Sequence, residues 1–265
     1  MKQQLSTNKT LSPKKSLGQN FIKDNKFLEK LVSKLELTKN KKLIEIGPGK
    51  GALTDKLVQK YDNDFFLIEK DRKLSELLIK KYSENRNIKI FNEDALDFRY
   101  DQFFKNQEAI IIGNLPFNIS SQLLINWLSY KNWPSFYSKM YLMFQYELGE
   151  RIISSKNSKK YGKLSILVQS RFQVNKILKA PSKIFFPEPK VDGLILEFIP
   201  IIKYKNLKIE NLKKVLEEAF KHRRKKIKKS LSPYSHLITD WSIKSELRAE
   251  NLDIDDYCDL ARKIS

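Results

Sequence analysis

The stretch Ile110-Ile111-Ile112-Gly113-Asn114-Leu115-Pro116-Phe117, followed by Asn118-Ile119-Ser120-Ser121, sets the reading of the whole chain. A continuous apolar run of this kind is the pattern of a strand buried on both faces, as in a parallel sheet. It stops at an amide side chain, at a proline that cannot donate to a ladder, and at an aromatic ring. Asn114 accepts hydrogen bonds through its side-chain oxygen, as do the backbone carbonyls of Leu115 and Pro116. Phe117 offers a flat face to a planar base. Together these groups suit an exocyclic amine and the ring that carries it. An ordinary strand-to-helix turn with a core phenylalanine fits the same letters, so the remaining sequence has to decide.

Upstream, Leu43-Ile44-Glu45-Ile46 is a short buried strand followed at once by Gly47-Pro48-Gly49-Lys50-Gly51. Ala52, Leu53, Leu57 and Val58 then continue at helical spacing. Strand, glycine turn and helix start form the first unit of a nucleotide-binding α/β fold, and Gly47 and Gly49 let backbone approach a ligand closely. The next strand, Phe65–Ile68, ends in Glu69, 22 positions beyond Gly47. That is close to the roughly 20 expected of an acid that binds ribose hydroxyls. A third strand, Ile88–Phe91, is followed by Asp94, which fits either an acceptor for an adenine amino group or a helix cap. The opening run is the fourth strand. Behind it, Ile119, Leu123, Leu124, Trp127 and Leu128 form a core-facing helical stripe, with Asn118 or Ser120 as the expected cap. Met140–Gln145 is a fifth strand, and a helix is expected around 147–153. The polar, basic loop Ser154–Lys160 fits either a nucleic-acid backbone or solvent. Phe172–Leu178 and Leu194–Ile199, joined by a proline-rich link, suit antiparallel strands that close the sheet.

Composition bounds the partners. The 265 residues carry 51 Lys and Arg against 31 Asp and Glu, a net charge of +20. That excess favours polyanions, nucleic acid first and anionic membrane second; an AT-rich genome accounts for the abundance of Lys and Asn but not for the sign imbalance. One cysteine, Cys258, excludes an internal disulfide and a Cys-based zinc site, and His222 and His236 lie far from metal-ligand spacing, so no metal is expected. No apolar run reaches the ~18 residues of a membrane helix, and the N-terminus has no signal-peptide apolar core; a cytoplasmic protein with no membrane association, and a monomer, are the expectations. Residues 1–13 are expected to form a flexible basic tail. The segment Lys14–Ile22 reads as a turn leading to a helix capped by Asp24. Residues 14–200 are expected as the catalytic domain. From 201 to 265 strand patterns give way to helical spacing (Ile209, Leu212, Val215, Leu216, Ala219, Phe220), a small all-α domain. Its first helix is expected to run into Lys221–Lys229, where seven of nine residues are cationic. Like charges at that density destabilise a free helix unless a polyanion neutralises them, making Arg223, Arg224, Lys225 and Lys226 candidate RNA contacts.

The glycine turn and the two strand-end acids suit a dinucleotide or S-adenosylmethionine. A pyrophosphate favours a glycine turn leading straight into a helix N-terminus. Asn-Leu-Pro-Phe has no role in hydride transfer but fits an amino-group nucleophile, which favours methyl transfer. Taken together, Gly47–Gly51, Glu69, Asp94 and Asn114–Phe117 resemble an N6-adenine methyltransferase. More narrowly, Lys15-Ser16-Leu17-Gly18-Gln19-Asn20-Phe21, Asn114–Ser120, Phe186-Pro187-Glu188-Pro189-Lys190-Val191-Asp192 and Phe220 with Arg223-Arg224-Lys225 resemble the small-subunit (16S) ribosomal RNA adenine N6,N6-dimethyltransferases, in the same order along nearly the whole chain. The resemblance implies a Rossmann-like S-adenosylmethionine-dependent methyltransferase sheet, mostly parallel with the last strand antiparallel. It places Asn20, Ile22, Gly47, Glu69, Asp94 and Asn114 at cofactor contacts. It implies dimethylation of two adjacent adenosines near the 3′ end of 16S rRNA in the small ribosomal subunit or its precursor. Phe117 stands where the family usually has Tyr, and Gly193 where it usually has Ser, expected to affect only a local turn. The Phe brings the motif nearer to the 23S-directed resistance dimethyltransferases. A non-catalytic assembly factor is the other alternative.

Overall fold

In the computed structural model, which describes residues 12–14, 17–105, 108–116, 118–130, 133–204, 206–222, 224–242 and 244–264, the three isoleucines of the opening run lie in the middle of a sheet. The chain enters through β1 (Phe21–Ile22) and α1 (Asn25–Lys34), whose first turn is capped by the Asp24 carboxylate accepting from the Phe27 N–H at 2.9 Å. Strand–helix units follow: β2 (Lys42–Ile46) and α2 (Ala52–Lys60), β3 (Phe65–Ile68) and α3 (Arg72–Lys81), β4 (Ile88–Phe91) and the short α4 (Tyr100–Phe103). Next come β5 (Ala109–Gly113) with α5 (Ser120–Leu128), then β6 (Tyr137–Gln145) with α6 (Tyr146–Ile152) and α7 (Lys163–Gln169). The last strands are β7 (Phe172–Ala180), β8 (Phe185–Phe186) and β9 (Gly193–Pro200). Beyond them lie α8 (Ile209–Lys221), α9 (Ile227–Ser230) and α10 (Ile254–Lys263).

The main sheet has the order β4-β3-β2-β5-β6-β9-β7, parallel from β4 to β6, with β9 running antiparallel to both its neighbours. Helical crossovers cover both faces, which is why the inner strands β3 and β5 are apolar throughout rather than alternating, whereas the edge strand β4 exposes Lys89. Ile110 and Ile112 pack with Leu43, Leu67 and α1 on one face, while Ile111 joins Ile44, Trp127 and Met140 on the other. Burying each of these side chains is worth roughly 1.5–3 kcal/mol. The second face is also where the C-terminal helices dock. Leu212, Val215, Leu216 and Ala219 repeat at the spacing of one helix face and share a continuous core with the sheet. Around the expected boundary at 201, the Trp133 indole N–H donates to Ile201 O at 2.7 Å, and an Arg171 Nη donates to Leu207 O at 2.7 Å.

Several local expectations change. The fifth strand begins at Tyr137, three residues before Met140. Neither Asn118 nor Ser120 caps α5 at its N-cap position: Ile119 stands there without a side-chain cap, and the Pro116 carbonyl accepts the N–H groups of Ile119 and Ser120, both at 3.1 Å. Gly193 is not in a turn but opens β9, laddered to Gln145 and Ala180, where an added Cβ would come within 2.9 Å of the Met143 sulfur. The cationic run is not one helix. α8 ends at Lys221, its C-cap His222 is non-helical, and helix resumes only as the four-residue α9. Between them the Lys226 backbone bridges to Arg248. The loop 154–160 is fastened to the C-terminal helices: Asn157 N–H donates to Glu250 O at 2.8 Å, and Lys156 pairs with Asp253 at 2.8 Å. Residues 1–11 of the expected tail, together with Lys15, Ser16, Phe117 and Arg223, lie outside the described residues.

Candidate active site

Residues Ile46 and Gly113 are register partners, so the glycine turn after β2 and Asn-Leu-Pro after β5 leave the sheet side by side. Strand order reverses here, since the chain builds outward from β2 to β4 and returns to β5 on the other side. In open α/β sheets ligands bind at the carboxyl ends of such a pair. A cavity of about 440 Å³ opens at this point, within the range of small-molecule sites. Asn20, Ile22, Gly47, Gly49, Glu69 and Asp94 all line it, as do Asn114, Leu115 and Pro116. Two glycines are demanded by space. A Cβ on Gly49, whose φ is +61°, would lie 2.9 Å from the Phe21 ring, and one on Gly113 would lie 2.7 Å from the Leu115 side chain. Without those atoms the N-terminal segment folds over the glycine turn, and Leu115 tucks back into the core.

The acids are fixed by neighbours. Glu69 is buried, and its two oxygens accept from Gly49 N–H at 3.1 Å and Asp71 N–H at 2.8 Å. Burial raises its pKa against the pull of those amides. Asp71 caps α3 through Lys73 N–H and also receives Gln19 Nε2 at 3.1 Å and Lys14 Nζ at 2.8 Å. Burial works against its ionisation, but these three partners outweigh it and hold the carboxyl below its ordinary range. Asp71 thereby ties the Lys14–Asn20 segment to the mouth of the cavity. Asp94 accepts from Leu96 N–H at 3.0 Å and from Lys70 Nζ at 2.5 Å. Lys70 and the amide offset the burial cost and keep Asp94 below the usual carboxylate range. Glu45, beneath the glycine turn, is buried and accepts from the Thr54 hydroxyl at 2.7 Å, its one hydrogen-bond partner among the described residues, and burial pushes its carboxyl up to about 7.

Asn114 is oriented from behind. Its Nδ2 donates to Asn20 O at 3.0 Å, which fixes the amide so that Oδ1 is the acceptor left for a ligand. The two candidate carbonyls separate. Pro116 O already receives two N–H groups, whereas nothing among the described residues donates to Leu115 O. Asn114 Oδ1 and Leu115 O are therefore the two acceptors of this turn that receive no donor among the described residues.

Of the remaining predicted residues, the described ones do not line this cavity. Arg224, Lys225 and Lys226 are exposed on the segment between α8 and α9. Lys226 pairs with Glu246 at 2.7 Å, and Lys228 pairs with the same carboxylate, which the two ammonium groups hold at about 2. Sequence reading passed over Lys70, Glu45 and the Asp71 clamp. Lys70 and Asp71 directly follow Glu69, a proximity that marks them only once the acid's backbone partners are known. Phe186, quoted only as part of a motif, reaches the cavity rim because β1 and β8 pair as a small antiparallel ribbon. Among the described residues no group of three or more His, Cys, Asp or Glu is placed to hold a metal, and no helix is long and apolar enough to cross a membrane.

A chain of this fold with this arrangement of strand ends has counterparts among known proteins. Ribosomal RNA small subunit methyltransferase A of Pelagibacter ubique is 38% identical over 255 residues, covering 94% of this chain and 96% of that protein. The protein of the same name from Blochmanniella floridana is 39% identical over 253 residues, covering 93% and 92%. Among solved structures, a dimethyladenosine transferase from Plasmodium falciparum superposes with a TM-score of 0.78 at 22% identity, covering 91% of this chain and 95% of that one. The 23S rRNA methyltransferase ErmE superposes at 0.66 and 20%, covering 92% and 99%; both share the fold. The sequence profile described as ribosomal RNA adenine dimethylase matches residues 10–265, and with it the Asn-Leu-Pro turn, the strand-end acids and the helical C-terminus find one common setting: the chain belongs to the ribosomal RNA adenine dimethylase family of methyltransferases.

Proposed function

We propose that this enzyme transfers methyl groups from S-adenosylmethionine to the N6 amino groups of two adjacent adenosines near the 3′ end of 16S rRNA, in the small ribosomal subunit or its precursor, in the cytoplasm. The donor set of the cavity fits that cofactor better than a dinucleotide. The Gly49 N–H, which would have to face a pyrophosphate, donates instead to the Glu69 carboxylate, and a negative charge there opposes a phosphate. Glu69 suits the ribose hydroxyls and Asp94 the adenine amino group, with Asn20, Ile22, Gly47 and Gly49 forming the walls. When bound, S-adenosylmethionine supplies an electrophilic methyl group on a sulfonium.

The chain's own residues then act on the nucleophile. The N6 lone pair of adenine is delocalised into the ring. Asn114 Oδ1 and Leu115 O accept the two N6 protons, which favours a tetrahedral nitrogen with its lone pair directed at the methyl. No general base is required, because the alkylated ammonium is acidic enough to lose its proton to water. Most of the rate gain is positional, where effective molarities of about 10⁵–10⁸ M are reached. Phe117 holds the base once it is turned out of its stack, and Arg223, Arg224, Lys225 and Lys226 supply phosphate contacts at a distance from the chemistry.

The observation that carries this reading is the Asn114 Nδ2–Asn20 O bond, which anchors the amide by its nitrogen and leaves Oδ1 as the acceptor for the incoming amine. The test is methyl transfer from labelled S-adenosylmethionine to purified 30S and 50S particles, with the methylated nucleosides mapped. Label in two adjacent N6,N6-dimethyladenosines of 30S particles is the expected result. Label confined to 50S particles would assign a 23S substrate, and no label with either would make the protein a binding factor.

A further inference from the structure

The small ribbon at the cavity rim has features that the reaction at Asn114 does not use. Phe21 pairs with Phe186 and Ile22 with Phe185, and Lys23 N–H donates to Ile184 O at 2.9 Å, extending the pairing by one residue. Ile22 and Phe185 are the anchors, 9% and 1% exposed, whereas Phe186 is 55% exposed. Phe186 thus presents a large ring, half open to solvent, at the edge of the cavity that it also lines. Three cations lie beside the ribbon. Lys50 Nζ sits 5.3 Å from the centre of the Phe21 ring, across the ladder from Phe186. Lys23 and Lys183 flank the ribbon on its two strands, and both are exposed. None of the three has an acidic partner among the described residues, and the neighbouring acids are engaged elsewhere. Asp24 accepts from Phe27 N–H, Glu188 from the Ser182 hydroxyl, and Asp192 pairs with Lys179.

Exposed aromatic surface interleaved with unpaired cations is the pattern of a single-stranded nucleic-acid platform, where base stacking contributes sequence-tolerant affinity and lysines follow the backbone. The base whose amine reaches Asn114 has to sit inside the cavity. Phe186, at the rim and more than half exposed, meets a nucleotide outside it. We propose that the β1–β8 ribbon docks the RNA strand next to the reacting nucleotide: Phe186 stacks the adjacent base, and Lys23, Lys50 and Lys183 hold the flanking phosphates. This rests on the RNA-methylating reading above. With two adjacent adenosines as substrate, the ribbon holds one while the other reacts.

The test is position-resolved mapping of methyl groups on the two adenosines at limiting turnover, with Phe186→Ala, Phe186→Trp and the triple Lys23→Gln/Lys50→Gln/Lys183→Gln variant. Phe186→Ala is expected to uncouple the two positions, leaving one adenosine methylated at least about fivefold less than the other, and Phe186→Trp to restore the pattern. The triple variant is expected to flatten the log–log salt dependence of RNA binding by up to about 2, at roughly 0.7 for each single-strand phosphate contact. An equal loss at both positions would make Phe186 a contact of the reacting base and overturn the proposal. So would weakened S-adenosylmethionine binding, or an unchanged pattern and salt slope. If the wild-type enzyme labels no RNA, the functional reading fails instead, before the ribbon is tested.

Discussion

The pocket at the ends of β2, β3 and β5 and the cationic segment after α8 are both polar, yet they are built in opposite ways. At the pocket Glu69, Asp71 and Asp94 are each held by a backbone N–H close in sequence or space: Glu69 by Gly49 and Asp71, Asp71 by Lys73, Asp94 by Leu96. Asn114 is held by a backbone carbonyl. Rotamers are fixed before a ligand arrives, which is what a reaction governed by position requires. On the segment 221–229 the described cationic side chains are exposed, and the acid that meets Lys226 and Lys228, Glu246, is exposed as well. That surface suits many phosphate positions at low individual cost. On the proposed reading, rigid acceptors serve the chemistry and exposed charges serve the grip.

If the contrast holds, damage inside the pocket is large and local. Glu69→Ala removes a charged acceptor and strands the Gly49 and Asp71 amides. Hydrogen bonds to charged groups are worth about 1.5–3 kcal/mol, so S-adenosylmethionine affinity measured by calorimetry should fall about 10- to 100-fold. Unchanged affinity would detach Glu69 from the cofactor.

Glu45 sharpens the comparison through pH. Its carboxyl lies at about 7 in the folded protein against 4.5 ordinarily, because burial disfavours the charge. The folded state therefore binds this proton more tightly than the unfolded state. The associated stability is complete below pH 4.5 and is lost as the pH rises to about 7. Glu45→Gln, which keeps an acceptor for Thr54 and does not titrate, should match the wild type near pH 4.5. It should be more stable by up to about 3 kcal/mol above pH 7, read from denaturant melts at several pH values. Parallel pH profiles would contradict the assignment.

The smallest effect belongs to the surface. Glu246→Gln releases Lys226 and Lys228 and should steepen the salt dependence of RNA binding, by up to about 0.7–0.9 for each phosphate gained. An unchanged slope would mean that this segment does not meet the RNA backbone.

The same contrast explains what was legible in the sequence. Buried strands announce themselves by apolar runs, and the residues just past their ends are placed by the sheet, so Glu69, Asp94 and Asn114 could be located from spacing alone. The antiparallel β7–β9 pairing followed from two apolar runs flanking a proline-rich link. Charge density carries no such information about backbone. Lys221–Lys229 reads as a helix because α8 precedes it, yet the chain leaves the helix at His222 and bridges Lys226 to Arg248, a pairing that depends on residues twenty positions away. Gly193 misled for a related reason: its lack of a side chain answers to Met143 on the neighbouring strand, not to a turn. The division between the Leu115 and Pro116 carbonyls was likewise invisible until α5 was seen to begin on Pro116 O.

The central claim is that Asn114 and the Leu115 carbonyl set the amine, while the acids of β3 and β4 hold the donor. The direct test is the single-turnover rate of methyl transfer by Asn114→Ala, with donor and RNA saturating, beside that of Phe117→Ala. Loss of one preorganised polar contact to the reacting group costs about 10²–10³ in rate in comparable sites, and that drop is predicted for Asn114→Ala. A near-normal rate for Asn114→Ala alongside a collapse for Phe117→Ala would contradict the account, leaving base stacking rather than amine polarisation as the source of catalysis.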